Sequence, residues 1–472
     1  MKRLKVDLTL KENEIQNQSP REFEVRKIFG LNGCEKEWTL HKDIEVPLNG
    51  LVYITGFSGA GKSTLLKKIK EELGSLVVEA KELEAGKCPI DSFNAPVSES
   101  IQWLSQFGLG EAKILITPNE KLSVGQRERL RLALLVWEKP KYFIIDEFLA
   151  SLDRVTARVI AFQFQKIVQK FKLNCFVATA LNDLEEALFP DASLTLDLGG
   201  LHSLKKHDWK QKTLPEIKEL KESEGSLQDY KELSRFHYME GQVGEDSLLE
   251  SEVMSIRKVT LNNKLIGVRV FTKVFPSRLE SKLPVFKLLN SLSTLSSRVI
   301  VHPAYRGLGV SALMSFPTHE FPEVRKIFTH SALALHFPFD LKGGYELRKH
   351  PSILRTQWHD AYEQELFNLG LSDIQKLNRP QEAHSFWNSL NADQKTQLSQ
   401  ILMKQLAEYD FRYFIYICEE LDFQIPDLNL KKIQAFFEND FQGLNSINLA
   451  PLLSDGLHFP MQGLVKALNA NI

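Results

Sequence analysis

Cysteine is scarce and scattered in this sequence: Cys34, Cys88, Cys175 and Cys418 are the only four, and no two of them form a CxxC pair. That spacing excludes a disulfide framework or a zinc knuckle and predicts buried thiols in a reducing compartment. Long apolar runs are missing as well. No stretch approaches the roughly 18 apolar residues of a membrane span. The basic start MKRLKVDLTLKENEIQ is broken by charge before any apolar core of signal-peptide length. The expectation is a cytoplasmic protein with no membrane contact. Net charge is close to nil, -1 at pH 7, so the chain is no polycation, although a local basic groove for nucleic acid stays open. Internal repeats and low-complexity tracts are also lacking, which excludes solenoid and fibrous architectures.

What is present is the composition of an ordinary globular protein: 472 residues, 43% hydrophobic and 25% charged. At roughly 150 residues per domain that length predicts two or three domains. Four regions separate by pattern. Residues 1–199 alternate short apolar runs (GLVYITGF, YFIIDEF, NCFVATA) with amphipathic stretches, as an α/β domain with a mainly parallel sheet does. Residues 200–232 are strongly charged and weakly periodic, and read as a linker. In 233–348 strand signals return, with two β-rich runs around Asn262-Asn263 predicting a hairpin. Residues 349–472 carry helical spacing, as in QLSQILMKQLAEYDFRYFIYICEEL, and no chemical motif.

The strongest motif is GFSGAGKST, from Gly56 to Thr64, which fits G-x-x-x-x-G-K-[ST] between the strand LVYIT and the helix STLLKKIKEEL. In that context the backbone around Gly56, Ser58, Gly59 and Gly61 and the helix start at Ser63 and Thr64 cradle phosphates, Lys62 reaches the β- and γ-phosphates, and Ser63 ligates magnesium. ATP and Mg2+ are therefore the expected cofactors. Downstream, the run Tyr142 to Ile145 ends in Asp146-Glu147. A hydrophobic strand delivers the Asp146 carboxylate to the metal shell, and Glu147 is the candidate general base. Either acid alone would pass for an ordinary strand end, but together with the loop they make a site.

Between these motifs Leu122-Ser123-Val124-Gly125-Gln126 resembles the LSGGQ signature of the ABC ATPase family, with valine in place of the first glycine, and Ser151-Leu152-Asp153 resembles its D-loop. Without that setting LSVGQ would be no more than a helix start capped by Ser123. The resemblance spans about Phe23 to Leu198. It implies a homodimer that sandwiches two ATP molecules, with Ser123, Gly125, Gln126 and Asp153 facing the partner's P-loop. There are departures. Leu181 in VATALNDLEEAL stands where the family has its switch histidine, and a leucine donates no hydrogen bond. Gln102 is only a weak counterpart of the Q-loop residue, and Phe29 is a candidate adenine platform that would equally well be core. With no membrane segment, the soluble members that act on nucleic acid or ribosomes are the nearer comparison.

A second cradle-like stretch is SRVIVHPAYRGLGVSALM. Arg306-Gly307-Leu308-Gly309-Val310-Ser311, after the strand at Ile300 and Val301, resembles motif A of the GNAT acyltransferases, with an amphipathic helix expected to follow. That family uses such amides for the pyrophosphate of coenzyme A and the splayed strand for its pantetheine arm, so the resemblance implies an acyl-CoA cofactor, acetyl-CoA first. Catalytic groups are less defined: His237 and Tyr238 in SRFHYME lead, with His302, His336, Asp340 and Tyr345 behind them. A histidine or tyrosine on a strand is more often a packing residue, and His330 with His336 lacks a third metal ligand. The whole resembles prokaryotic fusions of an ABC-type ATPase with a predicted acetyltransferase. That implies ATP hydrolysis coupled to acyl transfer onto nucleic acid or a protein amine; the alternatives are an ATP-driven clamp whose second domain only binds and, last, an accessory transporter ATPase.

Overall fold

The computed structural model describes residues 3–11, 19–29, 39–197, 202–237, 252–331, 341, 343–348, 364, 366–371, 380–424, 427–440 and 462–467. The chain forms two compact units: Met1–Leu220 with His302–Leu308, and Lys221–Val301 with Gly309–Ile472.

In the first unit β1 (Arg3–Lys11) and β2 (Thr39–Pro47) pair antiparallel in a small sheet of their own. The main sheet contains β3 (Leu51–Gly56), β4 (Val77–Glu79), β5 (Tyr142–Ile145), β6 (Asn174–Ala178), β7 (Ala192–Leu196) and β8 (His202–Lys206), in the order β4-β5-β6-β3-β7-β8. All its pairings are parallel except β7 with β8. Helices cover both faces of a parallel sheet, so its strands read as unbroken apolar runs; residues 51–55 of β3 are all buried. Helix α1 (Lys62–Leu73) lays Leu65, Leu66 and Ile69 on Val52 and Ile54, in a core that also takes in Val6, Ile44 and Val46. Helices α2 (Val124–Trp137) and α3 (Arg154–Lys170) carry the motifs that flank β5.

The second unit is α+β, with β9 (Lys221–Glu224), β10 (Val253–Leu261), β11 (Lys264–Thr272), β12 (Ser293–Val301), β13 (Lys326–Ser331), β14 (Glu346–Arg348) and β15 (Gln462–Ala467), in the order β14-β15-β13-β12-β11-β10-β9. The expected hairpin is there. Asn262 and Asn263 turn β10 into β11 with φ of 50° and 63°, the left-handed pair that asparagine tolerates. Helix α4 (Leu227–Ser234) packs Tyr230 and Leu233 on Ile256, Val268, Val270 and Ile300.

Two regional expectations are revised. Residues 200–232 are not a separate linker, because β8 completes the first sheet and β9 opens the second. Both are charged edge strands, where solvent on one side removes the alternation that marks a strand. Nor are 349–472 a separate helical appendix. In α5 (Ala392–Glu420), Phe414 and Ile417 are fully buried with Phe286 and Phe328, joined by Phe437 of α6 (Asp427–Asp440), and β15 lies between β13 and β14. Each phenylalanine buried in this way contributes about 1.5–3 kcal/mol.

Candidate nucleotide site and second-unit cleft

The P-loop leaves the C-terminal end of β3, which lies inside the sheet between β6 and β7. Gly56 is required there: its φ is 145°, and a Cβ would stand 2.1 Å from Leu196 O on β7. Gly61 turns left-handed (φ 92°) into α1 and offers no side-chain cap. The ladder of α1 opens with Leu65 N–H donating to Gly61 O at 2.8 Å. The amides of Lys62, Ser63 and Thr64 therefore precede any helical acceptor, as phosphate-binding amides do. Ser58, Gly59 and Ser63 are exposed at the rim, Thr64 half-buried. The buried Lys62 ammonium donates to Gly56 O (2.8 Å) and Phe57 O (2.9 Å), which uses two of its three N–H bonds inside the loop. A cation held at a ring of amides fits a polyphosphate.

Asp146 and Glu147 are both exposed at the end of β5. The turn that presents them is held by its neighbours: Phe148 N–H donates to Ala178 O at 2.8 Å, and Phe148 packs on Phe164 with ring centroids 5.1 Å apart. Glu147 N–H donates to Asp146 Oδ1 at 3.0 Å, and Glu147 has φ 51°, a left-handed conformation that costs a side-chain-bearing residue about 1–2 kcal/mol.

Ser123 caps α2 in a full capping box, its Oγ accepting from Gln126 N–H (3.2 Å) and Gln126 Oε1 from Ser123 N–H (2.9 Å). The Gln126 carboxamide oxygen is thus engaged within its own helix turn. A Cβ on Gly125 would meet Leu152 Cδ2 at 2.5 Å, and Ser151 Oγ donates to Glu128, so the signature turn and the D-loop touch directly. Val124 is 60% exposed beside them. Asp153 caps α3, accepting from Thr156 N–H at 3.0 Å. Burial acts to raise its pKa, but hydrogen bonds from the Thr156 side chain and from the backbone N–H groups of Thr156, Val155 and Asp153 together hold the carboxyl below the usual range. Among the other residues singled out, Gln102 is an exposed position of helix Val97–Gln106, and Phe29 is 72% exposed at the end of helix Pro20–Phe29.

A parallel sheet with a glycine-rich loop at a strand end, a lysine in the loop and paired acids on a nearby strand defines a P-loop ATPase domain. A family model described as ABC transporter matches residues 41–150. The aliphatic sulfonates import ATP-binding protein SsuB of Zymomonas mobilis is 30% identical over 201 residues, 37% of this chain and 80% of that protein. The zinc import ATP-binding protein ZnuC of Haemophilus influenzae is 26% identical, covering 38% of this chain and 72% of that protein. A solved dimeric bacterial ABC transporter cassette matches at 18% identity over 37% of this chain and 94% of that one, with a TM-score of 0.31. The chain belongs to the ABC transporter ATP-binding family. Its first unit contains an ABC ATPase cassette, homologous to transporter ATP-binding subunits.

In the second unit β12 pairs with β11 as far as Val301↔Gly267 but with β13 only from Ser293↔Lys326 to Ser296↔Thr329. The register skips Ser297, a bulge that bends β12 where its β13 partner stops. Ile300, buried against α4, and Val301 lie past that divergence. Burial first, then the Arg298 charge, push the His237 pKa down to about 4, so its imidazole is neutral at pH 7. Tyr238, His336 and Asp340 lie outside the described residues. His302 Nδ1 accepts from Ala304 N–H (3.3 Å), a local cap, and Tyr345 is buried with Phe271 near the Arg269 guanidinium.

The expected phosphate cradle at 306–311 is divided. Arg306 and Gly307 belong to the first unit, where Arg306 pairs with Glu111 at 2.9 Å and Gly307 O accepts from Gln163 Nε2 at 2.5 Å. Gly309, Val310 and Ser311 belong to the second. The amphipathic helix expected after Gly309 is a single turn, Val310–Leu313, because buried Val310 and Met314 end it against β11: a Cβ on Gly267 would lie 2.6 Å from Val310 Cγ1, and Arg269 Nη1 donates to Ser311 O and Met314 O at 3.3 Å each. Arg306 thus has a carboxylate partner already, which does not fit a pyrophosphate ligand, whereas the β12–β13 divergence does fit an extended, amide-bearing arm.

Beside Leu181, the Asn182 carboxamide oxygen accepts from Thr55 Oγ1 at 2.6 Å, near the end of β3.

Proposed function

We propose that this chain is an ATP-hydrolysing cassette that works as a head-to-tail homodimer and controls an acyl-CoA-dependent transferase in its second unit. The ATPase reading is carried by the first-turn amides of α1 around Lys62, which precede the first ladder bond of the helix, Leu65 N–H to Gly61 O. Gly56, Ser58, Gly59, Gly61 and Thr64 shape the phosphate cradle with Lys62. Ser63 and Asp146 would hold magnesium, which supplies charge neutralisation at the phosphates. Glu147 accepts a proton from the attacking water, and Ser123 and Gly125 of one copy close over the nucleotide on the other. Asp153, which caps α3, and Gln126, which closes the capping box of α2 on Ser123, position their turns at that interface. The test is Glu147→Gln, which should give an ATP-dependent dimer by light scattering; a persistent monomer contradicts the composite site.

The transferase reading is supported by the divergence of β12 from β13, with Ile300 and Val301 flanking it; His237 is neutral at pH 7 but, with its pKa pushed down to about 4, a weak base for an amine proton. Isothermal titration with acetyl-CoA tests it: no binding removes the acyl-CoA reading and leaves the cassette intact. The acceptor we assign to a macromolecule, nucleic acid before protein amine, to be identified by what copurifies with the Glu147→Gln dimer.

A second reading, a slow ATP-driven clamp whose second unit binds without turnover, is favoured by the apolar Leu181 at the switch position. The named relatives serve import. Among the described residues no helix is long and apolar enough to cross a membrane, so an import role would need a separate membrane subunit.

A further inference from the structure

Helices α2 and α3 both end where β5 and β6 begin, at the end of the parallel sheet opposite the P-loop, and each helix is followed by a lysine in a left-handed turn. Lys139 follows α2 with φ 49°, and Lys172 follows α3 with φ 51°. Glycine fills this position past a helix end most readily, and a side chain there carries strain. The two turns close alike: Lys139 N–H donates to Val136 O and Lys172 N–H to Gln169 O, each at 3.1 Å.

Lys141 and Lys170 complete a group of four. Tyr142 and Asn174 open β5 and β6 as register partners, and Asn174 Nδ2 donates to Lys141 O at 3.1 Å. The ammoniums of Lys139 and Lys170 lie 4.9 and 5.3 Å from the centre of one ring, Phe171, so they stand no more than about 10 Å apart. That is about one Debye length at 0.1 M salt, so their charges reinforce each other. All four lysines are exposed, and among the described residues none forms an ion pair; Glu138, the adjacent carboxylate, is taken by Lys81 at 2.6 Å. The attraction of a helix C-terminus for a cation accounts for Lys139, Lys170 and Lys172 singly. It does not account for Lys141, which follows Pro140 at a strand start, or for four like charges gathered without a counter-charge.

A lysine is a point charge with rotatable donors, suited to phosphate more than to base edges. Among the described residues no exposed large apolar side chain lies within the group to enter a bilayer. We propose that Lys139, Lys141, Lys170 and Lys172 form a docking surface for the phosphate backbone of nucleic acid, at the end of the cassette sheet away from the nucleotide. This surface depends on neither the ATP nor the acyl-CoA reading.

The test is fluorescence anisotropy of a labelled DNA duplex of mixed sequence with the full chain, at several salt concentrations. The parent should bind, with log K falling against log salt at a slope of about −3 to −4, roughly 0.9 per neutralised phosphate. Lys139→Gly with Lys172→Gly removes two charges and gives both turns the residue their φ favours, so the fold is kept. Its slope should shrink by about 2 and its affinity at low salt should fall about ten-fold or more. Lys141→Gln with Lys170→Gln should do the same, whereas Lys141→Arg with Lys170→Arg should bind as the parent does. A parent that leaves the duplex free at low salt overturns the proposal, as does an unchanged slope in the glycine and glutamine variants. Binding to vesicles of anionic phospholipid without binding to DNA overturns it too.

Discussion

Alanine at Gly56 and alanine at Gly59 should behave very differently, although both lie in the same loop. At Gly56 the added Cβ meets a backbone carbonyl, Leu196 O at 2.1 Å, and φ is 145°; at Gly59 φ is 81° and nothing lies within 4 Å. Backbone strain at Gly56 costs about 1–3 kcal/mol. Relieving the clash means parting β3 from β7 and losing one or two ladder bonds at about 1 kcal/mol each. The sum is about 2–5 kcal/mol. A unit of this size loses about 2–4 °C per kcal/mol, so Gly56→Ala should melt roughly 4–20 °C lower. Gly59→Ala carries only the left-handed strain of about 1–2 kcal/mol, a fall of roughly 2–8 °C. Calorimetry of the full chain, with urea titration beside it, measures both. If the two variants melt within about 2 °C of each other, the argument from close approach is wrong.

Two further outcomes follow from charged groups. Arg158 grips both carboxylate oxygens of Glu216 and donates to Asp183 O at 2.6 Å, so Arg158→Ala should cost about 2–3 kcal/mol in urea unfolding. Burial acts to raise the Glu216 pKa, but Arg158 outweighs it and leaves the carboxyl below its ordinary value; the wild-type advantage should persist at neutral pH and close as pH falls below about 4. His237 has the opposite sense. Its folded pKa of about 4 lies below the unfolded value, so the unfolded chain binds the extra proton and stability falls as pH drops from about 6.5 toward 4, by up to about 1.4 kcal/mol per pH unit. His237→Gln should flatten that slope, and NMR titration of the imidazole should show no protonation above about pH 5.

The nucleotide loop was legible because its chemistry is local. Gly56, Lys62 and Ser63 need only a strand before them and a helix after, and both are written in apolar periodicity. The hairpin at Asn262-Asn263 was legible for the same reason: two residues that tolerate positive φ sit between β-rich runs. What escaped depends on partners remote in sequence. Charged β8 and β9 carry no alternation, and β15 can be assigned only by finding its neighbours at 326–331 and 346–348. Arg306 reads as a phosphate ligand until Glu111, almost two hundred positions earlier, is found beside it. The bond from Thr55 to Asn182 likewise joins residues 127 positions apart.

The place of β15 sets the order in which the second unit can be made. During synthesis β13 leaves the ribosome with its outer edge bare, because β15 is made only after α5 and α6 have followed. Until then that edge and the faces of Phe286 and Phe328 that await Phe414 remain open to pairing with other chains. Fold-up of this unit is thus a late, long-range event, slow in the way that high contact order makes folding slow. A nascent-chain binder that shields this edge should raise the yield of the second unit more than that of the first.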